Sequence, residues 1–241
     1  MASKFGFRVL GLLAAATPFW LSPAFAQDEG MGEVIVTAMR READDFDERI
    51  PAVGLKRTAD FAVVEVTVMG DTRETGPRRS EIYDMIRGAI QAAPAHGVEL
   101  SYGERTLTKL TLENYRDLTL SGDGRPDSER TSFFVKVPLG GKTDGQAAQT
   151  AITRFVKAVK PVGRAQMKET NDLTLSVVAP DQYRGAVAEA IAADARAMAA
   201  RLGPDYGVEI EGLNRPVEWT RAGLSEVLLY VPYKLTVVPK G

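Results

Sequence analysis

Apolar positions recur along this chain with two different periods, and the alternation between them predicts its elements. From Phe61 to Val68, Val64, Val66 and Val68 alternate with Glu65 and Thr67, the period of a half-buried strand. After the turn GDTRETGP the period changes. Ile82, Met85, Ile86, Ala89 and Ile90 form one stripe of a helix over Arg78 to Ala92, which Pro94 ends. Val98 to Ser101 and Thr106 to Leu112 read as strands, SGDGRPDSE (Ser121 to Glu129) as a turn cluster, and RTSFFVKVPL as a further strand. A second helix is expected over Gly145 to Val159, with its stripe at Ala148, Ile152, Phe155, Val156 and Val159. Thr143 and Gln146 have the spacing of a capping box, and Pro161 closes the element.

The second half repeats the alternation coarsely. DLTLSVVA (Asp172 to Ala179) is a strand, and Pro180-Asp181 opens the longest helix, which stops at Gly203-Pro204 after Leu202. Its large apolar residues are Tyr183, Val187, Ile191, Met198 and Leu202. Alanines fill much of the remainder, and such small side chains let a helix lie close to a sheet or to a neighbouring helix. Arg184, Glu189, Asp194, Arg196 and Arg201 give it a charged face. YGVEIE and the long β-type run Ser225 to Pro239 follow, with Pro232 marking a bend, bulge or edge position. The order predicts an α+β fold: two small α/β lobes, a largely antiparallel sheet and three main helices. The lobes are expected to divide near residues 121–130. No residue-level repeat is visible.

The first 54 residues differ in character. Lys4 and Arg8 precede an apolar run from Val9 to Leu21, and Ala24-Phe25-Ala26 supplies small residues where a signal peptidase reads. This is the pattern of a secretory signal peptide over residues 1–26, cleaved after Ala26. The run is shorter than the about 20 residues a membrane span needs. A periplasmic location follows as the expectation, with outer-membrane association open. Residues 27–54 form a polar leader, extended or flexible, interrupted by the β-branched run Val34-Ile35-Val36. The segment EVIVTAMRRE resembles the TonB box of outer-membrane receptors. A receptor barrel cannot be built from 241 residues. The segment Glu33, Val34, Ile35, Val36, Thr37 and Ala38 is therefore either a partner-docking peptide that adds a strand to a sheet edge, a chance match, or a first strand of the domain itself.

Composition narrows the chemistry. The chain has no Cys and one His, and a formal net charge of −2. Disulfides, a thiol nucleophile and the lipoprotein route are closed, and zinc or copper sites lack their usual ligands. The acidic balance argues against a nucleic-acid partner. His96 sits in the turn APAHGVE after a helix. PLGGKTDG resembles a phosphate loop, but the position five before Gly141 is Lys136 instead of Gly. In SGDGRPDSE, Arg125 and Phe134 occupy positions where a calcium loop starting at Asp123 needs oxygen ligands. No catalytic residue, cofactor or metal ligand is expected. A periplasmic hydrolase using paired carboxylates is the weaker alternative; it predicts clustered Asp or Glu of raised pKa in a concave site.

LTLSVVAPDQYRGAVAEAIAADARAMAARLG resembles the signature of the SIMPL domain: a strand, a proline turn and a long Ala-rich helix. Ala190, Asp194, Ala195, Ala199 and Gly203 fall in comparable places. RTADFAVVEVTV with HGVELSYG is similar to that family's first strand and glycine-marked second strand, and VEWTRAGLSEVLLYVPYKLTVV to its C-terminal strand. The likeness spans about Leu55 to Val238; VKPVGRAQ departs from the family's usual Gly-Ala pair. The resemblance implies an envelope protein with two α/β lobes, a link in some members to oxidative-stress defence, and assembly of some members into large homo-oligomers. It carries no catalytic residues. A homo-oligomer, an envelope protein partner and peripheral membrane association at most are the expected relations of this chain.

Overall fold

Five β-branched residues between Val63 and Val68 make an extended backbone the favoured local conformation, and this segment is the middle of the main sheet. The computed structural model describes residues 33–36 as main chain, and residues 51–104 and 106–240 with their side chains. The expected signal peptide with Ala24 and Ala26, and residues 27–32 and 37–50 of the leader, Thr37 and Ala38 among them, lie outside the described residues.

The first strands are β1 (Glu33–Val36), β2 (Leu55–Thr58) and β3 (Phe61–Gly70), followed by helix α1 (Thr75–Ala92). Then come β4 (Glu99–Tyr102), β5 (Thr108–Lys109), β6 (Ser121–Gly122), β7 (Glu129–Pro138) and helix α2 (Gly145–Ala158). The second half holds β8 (Gln166–Glu169), β9 (Thr174–Val178), helix α3 (Arg184–Leu202), β10 (Tyr206–Glu211), β11 (Glu218–Arg221), β12 (Glu226–Tyr230) and β13 (Lys234–Pro239). All strand pairings are antiparallel, and the fold is mixed α+β.

The main sheet runs β1-β9-β3-β7-β4-β5. β3 pairs with β7 along its whole length, from Phe61↔Pro138 to Gly70↔Glu129. Its other edge is shared by β9 at one end and β8 at the other. As a central strand, β3 is buried on both faces, not on one as the alternation suggests. Ala62, Val64, Val66 and Val68 meet the buried stripes of α1 (Ile82, Met85, Ile86, Ala89) and α2 (Ala148, Ile152, Phe155) in a first core. On the opposite face Thr67 is satisfied by the hydroxyls of Ser132 (2.9 Å) and Thr170 (2.6 Å).

A second core forms where Leu175 and Val177 of β9 meet Val187 and Ile191 of α3, with Val227 and Leu229 of β12. Here β2 returns from the start of the domain to pair with β12, giving the sheet β11-β12-β2. β10 and β13 form a separate two-stranded ribbon. Residues 121–130, where the pattern suggests a division between lobes, hold β6 and the start of β7, both within the main sheet. The buried residues of the first core run from Ala62 to Ala165 and those of the second from Leu175 to Val231, with Ala59 beside β2 joining the second.

Other local differences have physical causes. The run Ser225 to Pro239 is two strands in two sheets; Pro232, which has no N–H for a ladder, lies in the break. The cap of α2 is Asp144, whose carboxylate accepts from the Ala147 N–H (2.8 Å), in place of the Thr143–Gln146 box. Thr106 to Leu112 supplies only the short β5. The longest helix begins with a 3-10 turn at Pro180–Tyr183 before its α-helical part.

Gly145 locks α2 against the second half. Its N–H donates to the Ser225 hydroxyl (2.7 Å), and a Cβ there would stand 2.5 Å from the Leu224 carbonyl oxygen. Gly145→Ala must therefore push two backbones apart. We expect a loss of about 1–3 kcal/mol, the range for overpacking, measured by urea denaturation. An unchanged midpoint would show that the contact yields freely.

Candidate functional site

Four residues of the segment singled out for partner docking, Glu33–Val36, form a strand of the main sheet. β1 lies antiparallel to β9, from Glu33↔Val178 to Val36↔Leu175, as an edge strand of the main sheet. Its backbone thus finds in β9 the sheet edge that a docking peptide would seek in a partner.

The other sequence candidates stay apart. His96 ends a 3-10 turn, with its ring edge-on to Phe155 at 5.7 Å between centroids. Gly140 to Thr143 is a bridged turn leading into the Asp144 cap, with Gly140 and Gly141 at positive φ. Asp123 accepts from the Arg125 N–H (3.2 Å) in an exposed turn. Among the described residues no group of three or more acidic or histidine side chains has a metal-holding arrangement.

The displaced carboxylates serve structure. Asp71, Glu81 and Glu129 are all held below the ordinary range. Asp71 receives both the Nε (2.6 Å) and a terminal nitrogen (2.8 Å) of Arg164, and that hydrogen bonding is the largest cause of its shift. Glu81 accepts from the Thr72 hydroxyl (2.6 Å), its largest cause, and from the Arg164 N–H (3.1 Å). Glu129 is shared by Arg79 and Arg78. These shifts are opposite in direction to the one a general acid needs.

Two features of the second half look outward. A cleft of about 460 Å³ at the base of the ribbon is lined by Glu211, Arg215, Glu218, Tyr233 and Lys234. It holds two acids and two bases. The Tyr233 hydroxyl is pushed up, first by burial and then by the nearby charge of Asp194.

The second feature is the arm made by the end of α3 and the ribbon. Val187, Ile191 and Ala195 are the buried residues of α3, spaced four apart; from Arg196 to Leu202 none is buried. Met198 is 37% exposed and Leu202 45%. In the ribbon, Tyr206, Val208 and Ile210 share one face with their register partners Pro239, Val237 and Leu235. Ile210 packs against the second core, whereas Tyr206 remains 43% and Val237 40% exposed at the far end. The opposite face is polar, with Glu209 and Glu211 on β10 and Lys234 and Thr236 on β13, all exposed. Periodicity flags Met198 and Leu202 as apolar but cannot tell that the surface beneath them ends. For the ribbon the local signal is the alternation in YGVEIE and KLTVV; the pairing that aligns the two is tertiary.

The described fold is thus an α+β protein with a main antiparallel sheet, two cores and an outlying helix-and-ribbon arm. Comparison with protein-family models, curated proteins and solved structures gives no match. Among the described residues no helix is long and apolar enough to cross a membrane.

Proposed function

We propose that this is a non-catalytic periplasmic or envelope protein of the SIMPL-domain type, acting by self-assembly in envelope or oxidative-stress defence. The observation that carries the reading is the arm: Met198, Leu202, Tyr206 and Val237 are large apolar side chains left in water on adjoining elements. Clustered exposed apolar surface marks an interaction site more often than scattered residues do. The secretion-type leader and the resemblance of the α3 region support the compartment and the class. A protective role would rest on assembly, since a chain without Cys has no thiol chemistry to offer.

Light scattering on the purified protein tests this. We expect one species of defined mass, several times the 26.1 kDa of one full-length chain. A monomer at every concentration would overturn the proposal.

A further inference from the structure

The ribbon itself indicates how copies meet. A two-stranded ribbon has two edges, and among the described residues neither β10 nor β13 has another strand beside it. The ribbon is braced by α3 and by Ile210 on the second core, but its edges stay open, and an open edge is a template for another strand.

The direction in which each edge group points can be derived. The Lys240 N–H donates to the Asp205 carbonyl (2.7 Å), and these two residues continue the ribbon register by one position beyond Tyr206↔Pro239. They form a hydrogen-bonded pair, so every second pair does likewise: Gly207 with Val238, Glu209 with Thr236 and Glu211 with Lys234. The residues between them turn their N–H and C=O outward. These are Val208 and Ile210 on the β10 edge, and Leu235 and Val237 on the β13 edge. They supply donors and acceptors at matching spacing on both sides.

Charge then selects the partner. The exposed face of β10 is acidic at Glu209 and Glu211, and that of β13 is basic at Lys234. Two β10 strands pairing about their middle would set Glu209 against Glu209, or Glu211 against Asp205, and like charges directly opposite are unfavourable. Two β13 strands would bring no acid of the other copy opposite Lys234, which would keep only the facing Glu211 of its own ribbon. β13 of one copy against β10 of the next, in the register already used within the ribbon, places Lys234 opposite Glu211. It joins Val237 to Val208 and Leu235 to Ile210. It also continues the apolar face past Tyr206 and Val237, and the exposed Met198 and Leu202 end of α3 flanks that face.

We infer that the protein assembles head to tail through its C-terminal ribbon, the β13 edge of each copy adding to the β10 edge of the next. This rests on the proposed self-assembly and specifies its surface. Such a contact is heterologous, so it closes into a ring or runs on as a filament.

The test exploits that asymmetry. Val208→Pro removes an outward donor from the β10 edge, and Val237→Pro one from the β13 edge; neither touches the ladder inside the ribbon. Each variant alone should be monomeric by light scattering, with a circular dichroism spectrum like that of the unaltered protein. Mixed in equal amounts, they should form a dimer and nothing larger. Each partner then contributes its intact edge.

If proline unfolds the ribbon, the exposed-face pair Glu211→Lys and Lys234→Glu tests the same contact differently: each should assemble more weakly alone, and mixing should restore assembly in alternating order, because an acid then faces a base at both kinds of contact. An unaltered protein that is monomeric overturns both the inference and the proposed function. Assembly that persists in both variants of a pair, folded proline variants that fail to dimerise on mixing, or charge variants that fail to recover assembly on mixing, overturns the ribbon contact alone.

Discussion

Glu129→Gln should destabilise the protein by about 3 kcal/mol at neutral pH, at the lower end of the range for removing one partner of a buried ion pair. Glu129 accepts from Arg78 Nε (2.9 Å) and from Arg79 Nε (2.9 Å). The two arginines differ in what they would lose. The Arg79 side chain is 55% exposed, and water can replace its partner, so Arg79→Ala should change stability far less than Glu129→Gln. The Arg78 side chain is 6% exposed and would keep its charge in a buried site. Arg78 also donates to the carbonyls of Thr72 (2.8 Å) and Arg73 (3.2 Å), which shelter part of that charge and place the effect low in the range. Through those bonds it ties the loop before α1 to the start of β7. Replacing both members, Arg78→Met with Glu129→Leu, should recover much of the loss, because no unpaired charge remains.

The same residue sets a pH dependence. The Glu129 carboxyl lies below its ordinary value of 4.5, chiefly through the Arg79 hydrogen bond, with burial opposing and Arg78 adding. Its folded pKa is depressed, so its contribution is complete above the unfolded value. It is lost as pH falls through 4.5 towards the folded pKa. Urea midpoints of the unaltered protein should drop over that acid window, and those of Glu129→Gln should drop less. Parallel curves would show that Glu129 is not a source of the acid sensitivity.

Phe155→Ala should lower stability by about 3–5 kcal/mol, the range for truncating a buried phenylalanine. Phe155 is fully buried in the first core, between α2 and the sheet, with His96 against its ring edge. A helix holds it on one side and a 3-10 turn on the other, so the surroundings have little freedom to close the cavity. The loss should reach the second core as well. Leu139 and Leu173 pack against both cores, and β3 bonds directly to β9. Trp219 packs on the second core. In a Trp20→Phe background its fluorescence should therefore report the same lowered midpoint as circular dichroism. A Trp219 transition that stays in place while the dichroism becomes biphasic would mean that the two cores unfold independently.

The elements with a strong local period are the ones legible in the sequence. Ile82, Met85, Ile86 and Ala89 recur at helical spacing and are buried in α1; Ala148, Ile152 and Phe155 do the same in α2. β3, β7 and β9 are carried by β-branched and aromatic runs bounded by turns. Pro232 announced an interruption, and its missing N–H places one there. β2 (LKRT) and β8 (QMKE) have no such signal. They are short and polar, and they are strands because β12 and β3 offer them an edge.

Which strands become neighbours was decided in three dimensions. β2 and β12 are far apart in sequence, as are β1 and β9, and no local period relates them. The second pairing makes Glu33–Val36 an edge strand. Tertiary structure likewise divided the apolar residues of α3. Val187 and Ile191 meet β9 and β12, whereas Met198 and Leu202 run past the end of the second core. By itself the sequence determined local conformation, because backbone preference and side-chain period act over a few residues. The core, the free ribbon edges and the exposed arm depend on contacts between distant segments, and only the folded chain brings those segments together.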